Sequence, residues 1–334
     1  MISLLSLLTF TSIIAVCVKI YWKLSTRWND SYTCLVGKTV IITGANTGLG
    51  YYTALDVASR GARVILACRN RDRAEAARLK IMKLTNNTNV VYKLVDLASL
   101  QSVRQFAEDI NRNEARLDIL VNNAGLGFLE NNEFTADGIQ YLLHTNHVSH
   151  FLLTHLLIDK LKSSSPSRVI NVSSIAASRS KLTVENINEI NKIPPVGLHT
   201  VLRDSQLYST TKLCNILFTI ELSRRLAGTG VTTNALHPGV INTEFFRGLT
   251  GILRAFTALA GTLILLTPEE GAQTQIYLAV SKDVEDISGK LFANCRQIGL
   301  YSVAKTSNLA EKLWEKSEEL ANISSDEKIR FHIN

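Results

Sequence analysis

Short apolar runs alternate with longer segments of helical periodicity along most of this chain. In the first half, each apolar run has the length and composition of a strand buried on both faces, and each intervening segment has the length of a helix. The predicted strands cover residues 38–43, 63–67, 89–95 and 119–122, and the predicted helices cover residues 50–60, 71–83 and 100–111. This order of elements favours a parallel sheet.

The alternation continues in the second half with longer helices. A helix is predicted around residues 139–161, a strand at 168–172, a helix around Tyr208, a strand at 231–236 and a last strand near 290–292. Seven strands joined by six crossovers predict a Rossmann-type, doubly wound α/β fold, with a seven-stranded parallel sheet and helices on both faces. No repeat or low-complexity tract interrupts it, so we expect a single catalytic domain.

A glycine-rich turn follows the first predicted strand and precedes the first predicted helix. It has the sequence Thr-Gly-Ala-Asn-Thr-Gly-Leu-Gly over residues 43–50. Gly44 permits the tight turn, Gly48 lets the backbone approach a pyrophosphate, and Gly50 lets the helix pack against the strand. A glycine cluster alone is often only a turn, so its position between these two elements is what suggests a phosphate-bearing cofactor.

Tyr208 and Lys212 are four residues apart in a predicted helix. Four residues correspond to one helical turn, so the phenol and the ammonium share a face, where the positive charge can lower the pKa of the phenol and make it a usable proton donor. A solvated surface pair is the alternative for this spacing taken alone. Together with the glycine-rich turn upstream, the pair indicates an enzyme.

Over roughly residues 35–318, the chain resembles the short-chain dehydrogenase/reductases, and within them the membrane-bound retinol dehydrogenase branch. The glycine spacing Gly-x-x-x-Gly-x-Gly favours this family over the two-domain dehydrogenases. Beyond that turn and the Tyr/Lys pair, the matching motifs are Asp96-Leu97, Asn122-Asn123-Ala124-Gly125, Asn146 in Thr-Asn-His-Val-Ser-His-Phe, Asn171-Val172-Ser173-Ser174, and His237-Pro238-Gly239 with Thr243. The segments that favour the branch are 67–69 (Ala-Cys-Arg), 212–218 and 288–290 (Ser-Gly-Lys).

The resemblance implies four catalytic residues. Tyr208 would be the general acid/base, and Lys212 would lower its pKa and bind the nicotinamide ribose. Ser174 would polarise the substrate carbonyl, and Asn146 would hold a relay water. Because reduction of a carbonyl by hydride leaves an alkoxide, a hydrogen-bond donor and a proton source are chemically required. Ser173 is the neighbour that could be mistaken for Ser174, but alternation along the strand directs only one of them to the cofactor.

The implied cofactor is NADP(H), and the end of the second strand favours it over NAD. An acidic residue there would bind the ribose 2′-hydroxyl and repel a 2′-phosphate, whereas this chain has Cys68 and Arg69, and a guanidinium can hold a phosphate. A solvated surface arginine is the alternative for Arg69. The resemblance places Asp96 at the adenine edge and Asn123 beside the ribose. The full set implied for the cofactor is Gly44, Asn46, Thr47, Gly48, Leu49, Gly50, Arg69, Asp96, Leu97, Asn123, Ala124, Gly125, Tyr208, Lys212, Pro238, Gly239 and Thr243.

Four histidines in one predicted helix raise the question of a metal site: His144, His147, His150 and His155. Successive steps of three residues drift around a helix, and no carboxylate or cysteine joins them. Hydride transfer to nicotinamide requires no metal. We therefore expect no metal and assign these histidines to helix packing and hydrogen bonding.

Composition restricts the other partners. The formal net charge of +7 comes without a basic run interleaved with aromatic residues, so nucleic acid is not expected, and an anionic membrane surface explains the charge as well. The five cysteines are odd in number and lack Cys-x-x-Cys spacing, which suggests neither a disulfide framework nor a zinc site. A reducing compartment is the simplest interpretation.

The N-terminus predicts a membrane anchor. Residues 1–18 carry no charged side chain, and the apolar character continues to residue 22. A cleaved signal peptide is the alternative, but it would need a basic region before the apolar stretch. Positive charges follow the span, which leaves the catalytic domain on the cytosolic side, with the endoplasmic reticulum as the expected membrane. The organisation would be an anchor (1–22), a linker (23–36), a catalytic domain (37–320) and a tail (321–334).

The resemblance makes the apolar segment at about 240–267 the substrate lid, with a buried core helix as the alternative. A lid resting on the bilayer would admit a lipid-dissolved substrate directly. The expected reaction interconverts a lipophilic alcohol and its aldehyde or ketone, foremost retinol and retinal. The alternatives are a sterol or fatty aldehyde and, in another class, a catalytically silent NADP-binding membrane scaffold. Tyr208 lies 34 positions after Ser174, which leaves the pocket rim undetermined. Oligomeric state stays open, a homodimer included.

Overall fold

The computed structural model describes residues 17, 20, 23–127, 133–192, 200–241, 265–325, 327 and 328 of the 334-residue chain. Within them, one sheet has the strand order β3-β2-β1-β4-β5-β6-β7-β8. The strands are β1 (Thr39–Thr43), β2 (Arg63–Cys68), β3 (Val90–Leu94), β4 (Ile119–Asn122), β5 (Ser167–Val172), β6 (Val231–Leu236), β7 (Leu291–Ala293) and β8 (Arg296–Ile298). Neighbouring strands from β3 to β7 pair in parallel, which confirms the doubly wound α/β fold.

Helices cover both faces of the sheet. They are α1 (Gly48–Ser59), α2 (Arg71–Thr85), α3 (Leu100–Asn113), α4 (Ser149–Ser163), α5 (Thr200–Arg225), α6 (Pro268–Val280) and α7 (Leu309–Leu320). Side chains alternate along β1, so Val40 and Ile42 pack with α1, α2 and α6, whereas Ile41 packs with α3, α4, α5 and α7. Each such side chain is fully buried and contributes about 1.5–3 kcal/mol by leaving water.

The sheet has eight strands where the sequence predicted seven. The additional strand β8 is short and pairs antiparallel with β7. The two residues between these strands, Asn294 and Cys295, both have positive φ angles, of 50° and 55°. Such a pair is typical of a two-residue hairpin turn. Strand β8 is largely exposed and has no continuous apolar run. Because the other strands were predicted from such runs, β8 was not predicted.

The helix predicted at residues 139–161 is present but not uniform. A short α-helical turn (Tyr141–Leu143) is followed by a π-helical segment (His144–Val148) and then by α4. The π-helical segment contains Asn146. Segments of this kind are frequent at functional sites because they shift the position of a side chain relative to a regular helix.

The segment between Ser25 and Leu35 lies along the catalytic domain and is hydrogen-bonded to it. The Asn294 side chain accepts from Arg27 N at 2.7 Å and donates to Ser25 O at 2.7 Å. Further along, Arg60 Nη1 donates to Ser31 O at 2.6 Å. The end of the predicted linker is therefore joined to the β7–β8 turn and to the C-terminus of α1.

Two predicted features fall mainly outside the described residues. Of the predicted anchor, only Cys17 and Ile20 are described, and no helix in the described part of the chain is long and apolar enough to cross a bilayer. Residues 242–264 of the predicted lid, Thr243 included, are likewise outside the described residues.

Candidate active site

The residues predicted for the cofactor come together at one edge of the sheet, where the carboxyl ends of the parallel strands meet. They follow β1, β2, β3, β4 and β6. The residues at this edge are Gly44, Asn46, Thr47, Gly48, Leu49, Gly50, Arg69, Asp96, Leu97, Asn123, Ala124, Gly125, Pro238 and Gly239.

The glycine-rich turn makes a close backbone contact with the β4 edge. Gly44 and Gly48 have φ angles of 66° and 59°, a region that favours glycine. A Cβ atom at Gly50 would lie 2.6 Å from Gly44 O and 2.6 Å from Asn123 Nδ2, so only glycine fits there. The N-cap of α1, Thr47, makes no side-chain capping bond, and the first turn of α1 has no acidic residue. This helix N-terminus fits the phosphates of a dinucleotide.

Thr43, the last residue of β1, organises the floor of this crevice. Its Oγ1 accepts hydrogen bonds from the backbone N–H groups of Asn123 and Ala124, both at 2.9 Å. The Asn123 side chain donates to Thr43 O at 2.7 Å and accepts from Gln275 Nε2 at 3.2 Å. The Asn123 side chain therefore joins β1 to α6.

The end of β2 carries no negative charge. Arg69 is exposed and donates from Nη1 to the Tyr141 hydroxyl at 3.1 Å. Cys68 is buried, and burial raises the pKa of its thiol to about 11, so the thiol is neutral near pH 7. The end of β2 thus presents an exposed guanidinium beside a neutral thiol.

Asp96 and Leu97 follow β3. Asp96 Oδ1 accepts from Ala98 N at 3.0 Å, and Asp96 N donates to Ser102 Oγ at 2.9 Å. Leu97 is buried, and its carbonyl oxygen accepts from Ser149 Oγ at 2.7 Å. These bonds fix the turn from which the half-buried Asp96 borders the crevice.

Tyr208 and Lys212 lie one turn apart on α5, below the same crevice. The Lys212 ammonium is buried and donates from Nζ to Val172 O at 3.0 Å. It lies 5.8 Å from the centroid of the Tyr208 ring. Burial lowers the pKa of Lys212 to about 8, because the protein solvates the charged form less well than water does.

The pKa of Tyr208 differs from the expectation drawn from its spacing to Lys212. Burial raises it to about 12, and a hydrogen bond with Ser174 acts in the opposite direction. The ammonium of Lys212 is directed to the Val172 carbonyl rather than to the phenol. Tyr208 is thus a protonated phenol at neutral pH.

The two serines after β5 have different surroundings. Ser174 is half-buried, caps a short 3-10 helix (Ile175–Arg179) by accepting from Ala176 N at 3.1 Å, and bonds to Tyr208. Ser173 is buried and donates to Lys212 O at 2.6 Å. Ser174 therefore faces the site, and Ser173 holds α5 against β5.

Asn146 is held on three sides. Its Oδ1 accepts from Leu126 N at 2.8 Å, and its Nδ2 donates to Leu126 O at 2.9 Å and to Thr211 Oγ1 at 3.1 Å. A Cβ atom at Gly125 would lie 3.1 Å from Lys212 Nζ and 3.5 Å from Asn146 Oδ1. The turn after β4 therefore contacts both Asn146 and Lys212 directly.

Gly239 follows β6 in the left-handed region, at φ 87°. A Cβ atom there would lie 2.7 Å from Leu266 Cδ1. Its backbone N–H donates to His237 Nδ1 at 3.3 Å, across Pro238. The turn after β6 therefore packs against Leu266.

The four histidines of the π-helical segment and α4 make separate hydrogen bonds. His144 bonds to Thr135 Oγ1, His147 to Asn215 and Ser317, His150 to Thr43, and His155 to the carbonyl oxygen of Glu327. Burial lowers the pKa of all four. Among the described residues, no group of three or more His, Cys, Asp or Glu side chains could hold a metal ion.

Several supporting residues were not identified from the sequence. They are Thr43, Thr211, Asn215 and Gln275, each of which bonds to a predicted site residue or to the backbone beside one. Asn215 Nδ2, for example, donates to Val172 O at 3.1 Å, the same oxygen that Lys212 contacts. For Thr43 and Asn215, the signal in the sequence is a polar residue in or at the end of an otherwise apolar strand or helix.

Comparisons with known proteins agree with this geometry. Residues 38–185 match the family model for short chain dehydrogenase. The chain is 41% identical to retinol dehydrogenase 11 of Mus musculus, over 92% of this chain and 94% of that protein. It is 43% identical to retinol dehydrogenase 13 of Homo sapiens, over 88% of each. It is 44% identical to dehydrogenase/reductase SDR family member 13 of Bos taurus, over 88% of this chain and 75% of that protein.

Solved structures share the fold. An uncharacterized protein of Mycobacterium paratuberculosis is 31% identical with a TM-score of 0.68, and the match covers 89% of this chain and 98% of that one. The Pseudomonas aeruginosa RhlG/NADP complex is 24% identical with a TM-score of 0.61, covering 78% of this chain and 96% of that one. At 24% identity the likeness concerns the fold alone.

Proposed function

Because the chain belongs to the retinol dehydrogenase branch of the short-chain dehydrogenase/reductases, and is thus an oxidoreductase that uses a nicotinamide cofactor, we propose that it interconverts a lipophilic alcohol and its carbonyl compound with NADP(H). Retinol and retinal are the proposed pair. The observation that carries the proposal is the convergence of Ser174, Tyr208 and Lys212 beside the turn after β4, which also packs against the glycine-rich turn.

The residues at the strand ends would hold the cofactor, which when bound supplies or accepts the hydride. The turn at residues 44–50 would take the pyrophosphate, Asp96 the adenine edge, and Lys212 the nicotinamide ribose. The glycines support this fit, since a Cβ atom at Gly44 or Gly50 would meet the residues after β4 or the Gly44 carbonyl, and their absence lets the turn and the N-terminus of α1 pack at the end of the strands.

Arg69 supports NADP(H) over NAD(H). Its guanidinium is exposed at the end of β2, and the neighbouring Cys68 is neutral. A guanidinium can hold a phosphate with two parallel hydrogen bonds, and no carboxylate follows directly at this strand end to compete for it or to repel the phosphate.

The proton chemistry follows from the side chains of the site. In the reduction direction, the Ser174 hydroxyl donates a hydrogen bond to the substrate carbonyl oxygen, and Tyr208 delivers the proton that the developing alkoxide requires. The raised pKa of Tyr208 keeps that proton in place at neutral pH. The Lys212 ammonium, 5.8 Å from the ring, stabilises the phenolate that remains.

We further propose the membrane arrangement predicted from the sequence, with an uncleaved anchor at residues 1–22 and a catalytic domain at 37–320 on the cytosolic side of the endoplasmic reticulum. The docked linker supports it, because its Leu24 and Tyr32 side chains are 82% and 98% exposed and Lys23 precedes them. Aromatic and basic residues beside a span are typical of a membrane interface.

The proposal is tested with the full-length protein in detergent, incubated with NADPH or NADH and with all-trans-retinal, a keto-sterol or a long-chain aldehyde. We expect NADPH-dependent turnover that is fastest with retinal. Preference for another of these carbonyls would retain the chemistry and replace the substrate. Cofactor binding without turnover of any of them would contradict the enzymatic proposal and favour the scaffold.

A further inference from the structure

The hydrogen-bond capacity of Thr43 assigns the direction of one buried bond. A threonine hydroxyl has one hydrogen and two acceptor lone pairs. Both lone pairs of Thr43 Oγ1 are used by the N–H groups of Asn123 and Ala124, at 2.9 Å each. The hydrogen remains, and its nearest acceptor is His150 Nε2 at 2.9 Å, whereas Val121 O is 3.4 Å away. His150 Nε2 is therefore the acceptor of this bond.

The other ring nitrogen of His150 then has a fixed role. A neutral imidazole that accepts at Nε2 carries its proton on Nδ1. His150 Nδ1 lies 3.3 Å from the carbonyl oxygen of Asn146, which can only accept. The ring is neutral because burial lowers the pKa of His150 to about 3 and the nearby Lys212 charge acts in the same direction. Every donor in this series of hydrogen bonds, from Asn123 and Ala124 to Asn146, thus meets an acceptor.

We propose that His150, as the Nδ1–H tautomer, is a positioning residue that couples the turn after β4, which holds Asn123 and Ala124, to the catalytic Asn146. The bonds run in one direction, from the N–H groups of Asn123 and Ala124 to Thr43, from Thr43 to His150, and from His150 to the Asn146 carbonyl. Asn146 lies in the π-helical segment and also bonds to Thr211, one residue before Lys212. This inference rests on the proposed function, because Asn146 and the turn after β4 act on the same substrate only if the protein catalyses the proposed reaction.

His155 provides a matched control. It lies on the same helix, is buried, and bonds through Nε2 to the carbonyl oxygen of Glu327 at 2.8 Å. Replacing either histidine by phenylalanine removes a buried ring nitrogen at similar volume. Only His150 contacts both Thr43 and Asn146, so only its replacement would disconnect the two.

The tautomer is measured directly by long-range proton–nitrogen correlation on the full-length protein in detergent, with nitrogen-15 in its histidines. The His150 signals are assigned by their disappearance in His150→Asn. We expect a protonated Nδ1, a bare Nε2 and no titration down to pH 5. A protonated Nε2, or a ring that titrates near pH 6.5, overturns the proposal. This result does not depend on turnover, so it stands or fails separately from the proposed function.

Kinetics test the coupling. We expect His150→Phe to lower kcat by between about tenfold and about 100-fold at saturating NADPH, because small misplacements of reacting groups have effects of this size. His155→Phe should leave kcat within about threefold. Thr43→Val should lower kcat as well, and Thr43→Ser, which keeps the hydroxyl, should lower it less than Thr43→Val does. The double variant Thr43→Val/His150→Phe should be no slower than the slower single variant. Equal kcat losses at His150 and His155, or multiplying effects in the double variant, overturn the coupling.

Discussion

A Cβ atom at Gly125 would lie 3.1 Å from the Nζ of Lys212, so the missing side chain at one position makes room for the ammonium at the other. Lys212 also depends on the carbonyl oxygen of Val172, 3.0 Å away, for its orientation. An added methyl group must therefore shift either the lysine or the turn after β4 by a few tenths of an ångström.

We expect Gly125→Ala to lower kcat about tenfold or more, because the displaced ammonium no longer supports the Tyr208 phenolate. Steady-state kinetics with NADPH and retinal measure the loss. Gly299→Ala is the control, since a Cβ atom there meets nothing within 4 Å. An unchanged kcat in Gly125→Ala would show that the position of Lys212 is not critical.

Lys212 also gives the stability of the protein a specific pH dependence. Its pKa is about 8 when folded and ordinarily 10.5, so between these values the unfolded chain holds more protons and rising pH favours the folded state. From pH 7 to 11, the free energy of unfolding of the wild type should therefore rise by roughly 3 kcal/mol relative to Lys212→Met. Denaturant unfolding of both proteins at the two pH values measures this difference.

The control for that experiment is Lys312→Met, which changes an exposed lysine on α7. Its stability relative to the wild type should show no comparable rise between the two pH values, because an exposed ion pair is screened by solvent. Because Tyr208 is present in all three proteins, its own titration cancels in the comparison. A constant difference between the wild type and Lys212→Met would contradict the lowered pKa of the lysine.

Arg69 is predicted to determine the choice between the two nicotinamide cofactors. Removing its guanidinium in Arg69→Ala should raise the KM for NADPH by about tenfold to 100-fold, since a charge-assisted hydrogen bond contributes about 1.5–3 kcal/mol. The KM for NADH, which lacks the 2′-phosphate, should not change. Arg112→Ala, at an exposed position on α3, is the matched control. Equal effects on both cofactors would mean that Arg69 does not contact the 2′-phosphate.

Asn294 is predicted to keep the linker on the catalytic domain. Asn294→Gly retains the left-handed backbone at φ 50° but removes the bonds to Arg27 N and Ser25 O. Trypsin should then cleave after Lys23 and Arg27 several times faster than in the wild type, because the released segment is accessible. Asn322→Gly, a second left-handed asparagine, is the control. Equal cleavage rates in all three proteins would refute the docking.

The sequence predicted the parts of the molecule that depend on local patterns. Strands buried on both faces are short continuous apolar runs, so β1 to β7 and the helices between β1 and β5 could be placed within a few residues. The helix around Tyr208 was predicted without bounds, and α6, between β6 and β7, was not predicted. The predicted site residues that the structure describes meet at one sheet edge, because strand order in this fold brings the ends of distant strands together.

Other features depend on contacts that no local pattern encodes. The hairpin at Asn294 and Cys295 uses a cysteine where glycine is the usual signal, so β8 was missed. The pKa of Tyr208 follows from burial, which spacing to Lys212 does not reveal. The Thr43 partner of His150 lies at the end of β1, more than a hundred residues away in the chain, and could be found only in the folded protein.

The central claim is that Tyr208 supplies the proton in an NADPH-dependent reduction. The most direct test measures NADPH binding by fluorescence and all-trans-retinal reduction for the wild type and for Tyr208→Phe, both full-length in detergent. We expect the variant to bind NADPH as the wild type does and to lose at least about 100-fold in kcat, since a positioned general acid contributes about 10²–10⁴-fold. A Tyr208→Phe protein that reduces retinal at the wild-type rate would contradict the account.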